Sequence, residues 1–274
     1  MNIFENVLND IPTHENPEDY IGENGLLYCG VCNERKQTLV TIFGIERKMP
    51  VKCSCVKKEE QEFEATRKRN DFESMLRHKG GGLSSLAYKN YTFANNDGRS
   101  PNATIIAKRY ADNFSMMKQS NTGLLIGGPV GTGKTFIAGC IANALLEEFT
   151  PVCMTSFPQV LNTLQNSKER NEFIEDLVSF DLLILDDLGV ERSTDYGLEQ
   201  LFNLVDARYK TNKPLIVTTN LSMKEMMRTE NIALKRIYDR VLEMCAIPVL
   251  VDGTSRRQDT AKAKKEEAKK ILGI

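Results

Sequence analysis

The stretch Gly128–Thr135, Gly-Pro-Val-Gly-Thr-Gly-Lys-Thr, constrains this chain more than any other. It has the spacing G-x-x-x-x-G-K-[ST]: Gly128, then Pro129, Val130, Gly131 and Thr132, then Gly133, Lys134 and Thr135. The apolar run Leu124 to Ile126 just before it reads as a buried strand, and a helical pattern begins at Lys134. Glycines let the backbone curl with φ > 0 and turn successive N–H groups inward, making a concave anion site. The helix adds the positive end of its dipole. In that setting Lys134 reaches the β- and γ-phosphates of a nucleoside triphosphate, and the Thr135 hydroxyl ligates Mg²⁺. A glycine turn with a chance lysine is the bland alternative, and the strand–turn–helix context argues against it.

Downstream, Phe180 to Asp187 gives four apolar residues ending in the carboxylates Asp186 and Asp187. A buried parallel strand delivers such acids beside the phosphate loop, where Asp186 holds Mg²⁺ and Asp187 polarises an attacking water. A third strand, Leu215 to Thr218, runs into Thr219 and Asn220, whose amide is placed to orient that water or to cap the next helix, Ser222 to Met227. Arg236 and Arg240 lie four apart on one helical face. They suit charge developing on a phosphoryl group, or a surface ladder with Asp239 and Glu243. The last strand, Ile247 to Val251, is followed by Asp252 to Arg257 and a short basic helix. The helix from Lys134 to Glu148 and the strand from Val152 to Thr155 carry Cys140 and Cys153 as inert core. A helix is also expected over Ala103 to Lys118.

The N-terminal third has a different character. The first 34 residues contain seven acids and no Lys or Arg, and residues 1–25 read equally as a solvated leader or a partner-binding arm. They lack the basic and apolar segments of a signal peptide. Cys29 and Cys32, then Cys53 and Cys55, flank a β-rich Thr38 to Ile45 that suggests a hairpin. Two close thiolate pairs suit a closed, structural tetrahedral Zn²⁺ site. A redox pair at Cys29 and Cys32 would leave Cys53 and Cys55 unexplained. Seven cysteines without a secretory signal point to a reducing, cytoplasmic setting. Val56 to Lys79, with seven basic and six acidic residues, reads as an exposed charged helix, more a solvated face than a nucleic-acid contact. Gly80-Gly81-Gly82 ends it. Tyr88, Tyr91 and Phe93 suit linker packing, with base stacking as the alternative. The net charge of −1 favours no partner, but Arg256 to Lys270 carries seven basic residues against three acids. With Lys168 and Arg192 this suggests salt-sensitive contact with single-stranded DNA. No apolar run approaches the ~18 residues of a membrane helix.

These residues together resemble the AAA+ ATPases of the DnaC/DnaI helicase-loader family and the related IstB-type transposition helpers. The resemblance covers about residues 86 to 258. It rests on Gly128 to Thr135, Leu182 to Gly189, Ile216 to Asn220, Arg236-Ile-Tyr-Asp-Arg240 and Gly253 to Arg257. It implies Asp186 and Asp187 as metal and water site, Asn220 as first sensor, Arg240 as arginine finger and Arg257 as second sensor, with Arg256 as fallback. A cysteine-rich N-terminal module resembles loaders more than transposition helpers. The expected fold is α/β: a five-stranded parallel sheet with helices on both faces and a reduced or absent helical lid, preceded by a small zinc module. The expected division is an acidic arm 1–25, zinc module 26–56, charged helical linker 57–82, ATPase domain 83–258 and basic C-terminal helix 259–274. The implied function is ATP-dependent loading of a replicative helicase onto single-stranded DNA by a homo-oligomer using ATP, Mg²⁺ and Zn²⁺. The alternatives are a transposition helper and a nucleotide-gated adaptor with negligible hydrolysis.

Overall fold

The computed structural model describes residues 16–189 and 194–274. They divide into two compact units, residues up to Asp71 and residues from Phe72 onward. The expected DNA contact at Arg192 and most of the acidic arm lie outside the described residues.

The first unit holds two antiparallel ribbons. In one, β1 (Tyr20–Ile21) pairs with β2 (Leu27–Tyr28). In the other, β3 (Gln37–Ile42) pairs with β4 (Ile45–Pro50) through the two-residue turn Phe43-Gly44, the hairpin expected from the β-rich run. Both turn residues have positive φ, 53° and 78°, which matches the right-handed strand twist. Helix α1 (Ser54–His78) starts within this unit and runs past Asp71.

The second unit is built on a parallel sheet. Its strands are β5 (Gly82–Leu83), β6 (Leu124–Gly127), β7 (Val152–Ser156), β8 (Leu182–Leu188), β9 (Leu215–Thr219) and β10 (Ile247–Leu250), in spatial order β10-β6-β9-β8-β7-β5. The sheet therefore has six strands, not the expected five. The extra one is β5, which pairs with Cys153 and Met154 of β7 at the sheet edge. Its two residues are too few to show a period, and they follow glycines that signal only a helix end. Gly80, at φ 66°, does end α1: its N–H and that of Gly81 bond back to Arg77 and Leu76.

Alternate strand residues enter opposite cores, as pleating requires. Leu124, Ile126, Leu182, Ile184 and Ile216 pack with α2 (Pro101–Asp112) and α4 (Lys134–Glu147). Leu125, Leu183, Leu185, Leu215 and Val217 pack with α5 (Phe157–Asn166), α6 (Arg170–Ser179), α7 (Asp195–Lys210) and α9 (Ile232–Met244), the last preceded by α8 (Met223–Arg228). Burying each such aliphatic side chain contributes about 1.5–3 kcal/mol, so two covered faces explain why the strands read as continuous apolar runs. The helix expected over Ala103 to Lys118 is broken at Asn113, where α2 gives way to α3 (Phe114–Gln119). The Asn113 amide turns back to donate to the Arg109 carbonyl. Arg208 of α7 is fully buried, donating to the carbonyls of Val178, Phe180, Asp181 and Pro214 and tying α6 and the β8 and β9 entries together. After β10, α10 (Arg256–Leu272) is the last element and has no buried residue. No helix among the described residues is long and apolar enough to cross a membrane.

Candidate functional site

The strand order decides what converges. The phosphate loop follows β6, the two aspartates end β8, and Asn220 follows β9, which lies between those two strands. Three chemistries spread over residues 128–220 thus meet at the carboxyl edge of a parallel sheet, where such folds bind ligands. A cavity of about 510 Å³ opens there, lined by Lys134, Thr135, Asp187, Asn220 and Arg257 among others.

The loop conformation depends on glycine at two positions in particular. Gly133, at φ 102°, caps α4, and an added Cβ would lie 2.7 Å from the Arg256 guanidinium. At Gly128 a Cβ would lie 2.1 Å from the carbonyl oxygen of Val251. Thr132 is buried and donates to the Pro129 carbonyl. Lys134 is also buried; its ammonium donates to the carbonyls of Gly128 (2.9 Å) and Pro129 (2.8 Å) and to Asn220 Oδ1 (2.7 Å). Burial lowers its pKa, while Asp187 and Asp186 counteract the shift.

Thr135 Oγ1 lies 3.0 Å from both carboxylate oxygens of Asp186, so the two expected Mg²⁺ ligands are adjacent. Burial raises the pKa of Asp186, and the hydrogen bond from Thr218 opposes this. A divalent cation between Thr135 and Asp186 would relieve the cost of burying that charge, so the donor set fits Mg²⁺. Asp187 lines the cavity with a left-handed backbone, φ 58°.

The two arginines of the last helix differ. Arg256 makes a two-pronged ion pair with Asp97, at 2.7 and 2.8 Å, and its backbone N–H bonds to the Gly131 carbonyl. That guanidinium holds the Asp97 carboxyl down at about 2. Arg257 lines the cavity and is exposed. Arg240 is not brought to the cavity of its own chain: it pairs with Asp206 of α7 at 2.7 Å and lies over the Phe202 ring at 4.7 Å. Arg236, one turn away, is exposed.

Asp97, Tyr91 and Phe136 also line the cavity without a motif signal, and Thr218, within the Ile216 to Asn220 stretch but given no role there, stands behind it. Tyr91 packs on Phe136, with ring centroids 5.2 Å apart, so the aromatics do serve linker packing.

In the first unit, Cys29, Cys32, Cys53 and Cys55 come together with all four sulfurs within 4.8 Å of one another. Tetrahedral thiolates at a Zn–S distance of about 2.3 Å sit roughly 3.8 Å apart, so the set fits Zn²⁺. Cys53 precedes α1 and Cys55 lies in its first turn, while Cys29 is fixed by its N–H bond to Glu34. The backbone N–H of Glu34 and the Ser54 hydroxyl lower the Cys32 thiol to about 6, and sharing with Cys32 pushes Cys55 up to about 12. By contrast, Cys140 and Cys153 are buried in the core, where burial pushes their thiols up to about 12.

Comparison with known proteins bears on the family and the fold. Phage-like element PBSX protein XkdC of Bacillus subtilis (strain 168) is 30% identical over 148 residues, 51% of this chain and 54% of its own length. Replicative helicase loader DnaC of Escherichia coli (strain K12) is 29% identical over 145 residues, 51% of this chain and 57% of its own. Replicative helicase loader DnaI of Bacillus subtilis (strain 168) is 28% identical over 148 residues, 49% of this chain and 47% of its own. The matches thus span about half the length of these curated relatives. Among solved structures, that of DnaI superposes with a TM-score of 0.51 at 24% identity, covering 64% of this chain and 96% of that one. The DnaC helicase loader gives 0.52 at 21% identity, covering 61% and 100%. These two likenesses bear on the fold, which is the expected AAA+-type α/β architecture. The sequence family described as IstB-like ATP binding protein matches residues 57–264, and the chain belongs to it.

Proposed function

We propose that this protein is a cytoplasmic, ATP-dependent loader of a replicative DNA helicase, which places the helicase on single-stranded DNA and uses ATP turnover for release. The convergence of Lys134, Thr135, Asp186, Asp187 and Asn220 at one cavity carries this reading, in a chain whose relatives include two helicase loaders. The loop N–H groups and Lys134 hold the phosphates, with Lys134 exchanging Asn220 for phosphate oxygen when ATP enters. Thr135 and Asp186 would hold Mg²⁺, which when bound would offset phosphate charge. Asp187 polarises the water that adds to the γ-phosphorus as ADP leaves, and Asn220 orients it. Arg257 senses the γ-phosphate from its own chain, since Arg256 is engaged by Asp97. Arg240 serves a neighbouring subunit. The four cysteines hold a structural Zn²⁺. The exposed Lys262, Lys264, Lys265 and Lys270 of α10 support a salt-sensitive contact with single strands.

The test is a capture from native lysate with ATP and with ADP, paired with ATPase assays with and without single-stranded DNA. A helicase retained with ATP and released with ADP, and hydrolysis accelerated by DNA, are expected. The family match favours a second reading, a transposition helper, for which a transposase would be captured instead. Partner capture with no turnover under any condition would leave a nucleotide-gated adaptor.

A further inference from the structure

Behind the two aspartates stands a buried hydroxyl. Thr218, the fourth residue of β9, is fully buried, and its Oγ1 donates to Asp186 Oδ1 at 2.5 Å. The same oxygen accepts the backbone N–H of Asp187 at 2.9 Å. A hydroxyl has one proton to donate, and this one spends it on the metal-site carboxylate while its lone pair fixes the next residue. Its neighbour Thr219 is also buried, donates to the Leu188 carbonyl at 2.7 Å and accepts the Leu221 N–H at 3.0 Å. Between Leu185 and Leu188 the β8–β9 register shifts, and within that irregularity Asp187 takes its left-handed φ of 58°. Aspartate enters that region more readily than most residues with a Cβ, and here its backbone is held there by hydrogen bonds. The Thr218 hydroxyl holds the Asp187 N–H, and the Thr219 hydroxyl holds the carbonyl of Leu188, the next residue.

We infer that Thr218 is a positioning residue for phosphoryl transfer: its one hydroxyl orients Asp186 directly and aims the Asp187 carboxylate by holding its backbone. The inference rests on the reading of the cavity as an ATP–Mg²⁺ site. Thr218 does not line the cavity, so nucleotide affinity at saturating Mg²⁺ does not depend on it. Chemistry does, because a misplacement of about 1 Å at a reacting group costs up to about 100-fold.

The experiment compares Thr218→Val, which keeps the β-branched shape and loses the hydroxyl, with Thr218→Ser, which keeps the hydroxyl and loses the methyl. Wild type, both variants and Lys134→Ala are titrated with fluorescent ADP in Mg²⁺. Steady-state ATPase is then measured across Mg²⁺ concentrations, and thermal unfolding is recorded. The expected result for Thr218→Val is unchanged nucleotide affinity, a kcat lower by about 10- to 100-fold, and a higher Mg²⁺ requirement. Thr218→Ser should recover most of kcat. A wild-type kcat in Thr218→Val overturns the inference. So does a loss of nucleotide affinity and thermal stability in step with kcat in both variants, because that is a purely structural role. Nucleotide binding by Lys134→Ala equal to wild type sinks the reading of the cavity itself, a result separate from any of the Thr218 outcomes.

Discussion

On the proposed reading, Lys134 and Asp187 should fail in different ways when replaced, because one would hold phosphate and the other would polarise water. Lys134 is buried with its ammonium already held by three oxygens, so its charge is aimed before any ligand arrives. A hydrogen bond to a charged group is worth about 1.5–3 kcal/mol, so Lys134→Ala should weaken ATP by at least roughly tenfold in a fluorescent-nucleotide titration. Asp187→Asn keeps the size and tolerates the left-handed backbone of φ 58°. It should bind ATP normally and lose about 10²–10⁴ in phosphate release, the usual scale for a proton-transfer group. Turnover at the wild-type rate would remove Asp187 from the mechanism. These two residues are legible in the sequence because each sits in a contiguous pattern whose residue types have a mechanical reason. Thr218, Asp97 and Arg208 are not. Thr218 reads as one more strand residue, Asp97 as a turn residue, and Arg208 as a solvated helical charge, although four carbonyls surround it. Their roles come from partners as many as 159 positions away in the chain, which no local pattern encodes.

At the level of elements, the strands were readable and some connections were not. Five of the six parallel strands announce themselves as apolar runs, because both sheet faces are covered. Helix α7 signals itself by spacing instead, with Leu198, Leu201, Leu204 and Val205 on its buried side, and Gln200 and Arg208 are the polar residues buried with them. The cysteine cluster is legible from spacing alone, but the close backbone approach that Gly30 permits within it is not. A Cβ there would lie 2.0 Å from the Glu18 carbonyl oxygen, so the residue is required by close backbone approach. The proposed Zn²⁺ predicts one zinc per chain by elemental analysis. Because thiolate ligation supplies folding energy to a small module, chelation should unfold the β1–β4 ribbons in hydrogen exchange and leave nucleotide binding intact. Protected ribbons in metal-free protein would rule out a structural zinc. The Asp97–Arg256 pair makes a pH prediction. Its carboxyl is depressed to about 2, so the stabilising contribution is complete above the unfolded carboxylate value of about 4 and is lost as pH falls from there toward 2. The pair is partly exposed and worth no more than about 1 kcal/mol. Asp97→Ala should therefore speed exchange in the first turn of α10 at neutral pH, and wild type should approach the variant only in that acid window. Identical exchange at neutral pH would mean the pair does not anchor the helix.

At the scale of the whole molecule, Arg240 is the residue that on the proposed reading would act on a second copy of the chain. Its own phosphate loop is served by Lys134, and Arg257 lines the same cavity. Arg240 instead lies on α9 against α7, paired with Asp206 and resting on Phe202. The carboxylate and ring hold the guanidinium in one orientation and limit the entropy lost when it meets a phosphate. On the proposed reading that phosphate belongs to a neighbouring subunit, where the arginine stabilises charge present only in the transition state. Such fingers are worth about 10³–10⁵ in rate. Arg240→Ala should bind ATP nearly as wild type does and hydrolyse it slowly. Asp187→Asn should also be inactive, for a different reason. Mixed together, the two variants should recover part of the activity, because some interfaces then join an intact Asp187 to an intact Arg240. Dilution should slow even the wild type, as subunits separate. Activity per chain that stays constant on dilution, with no rescue on mixing, would leave Arg240 as a structural partner of Asp206 and place the whole reaction within one chain.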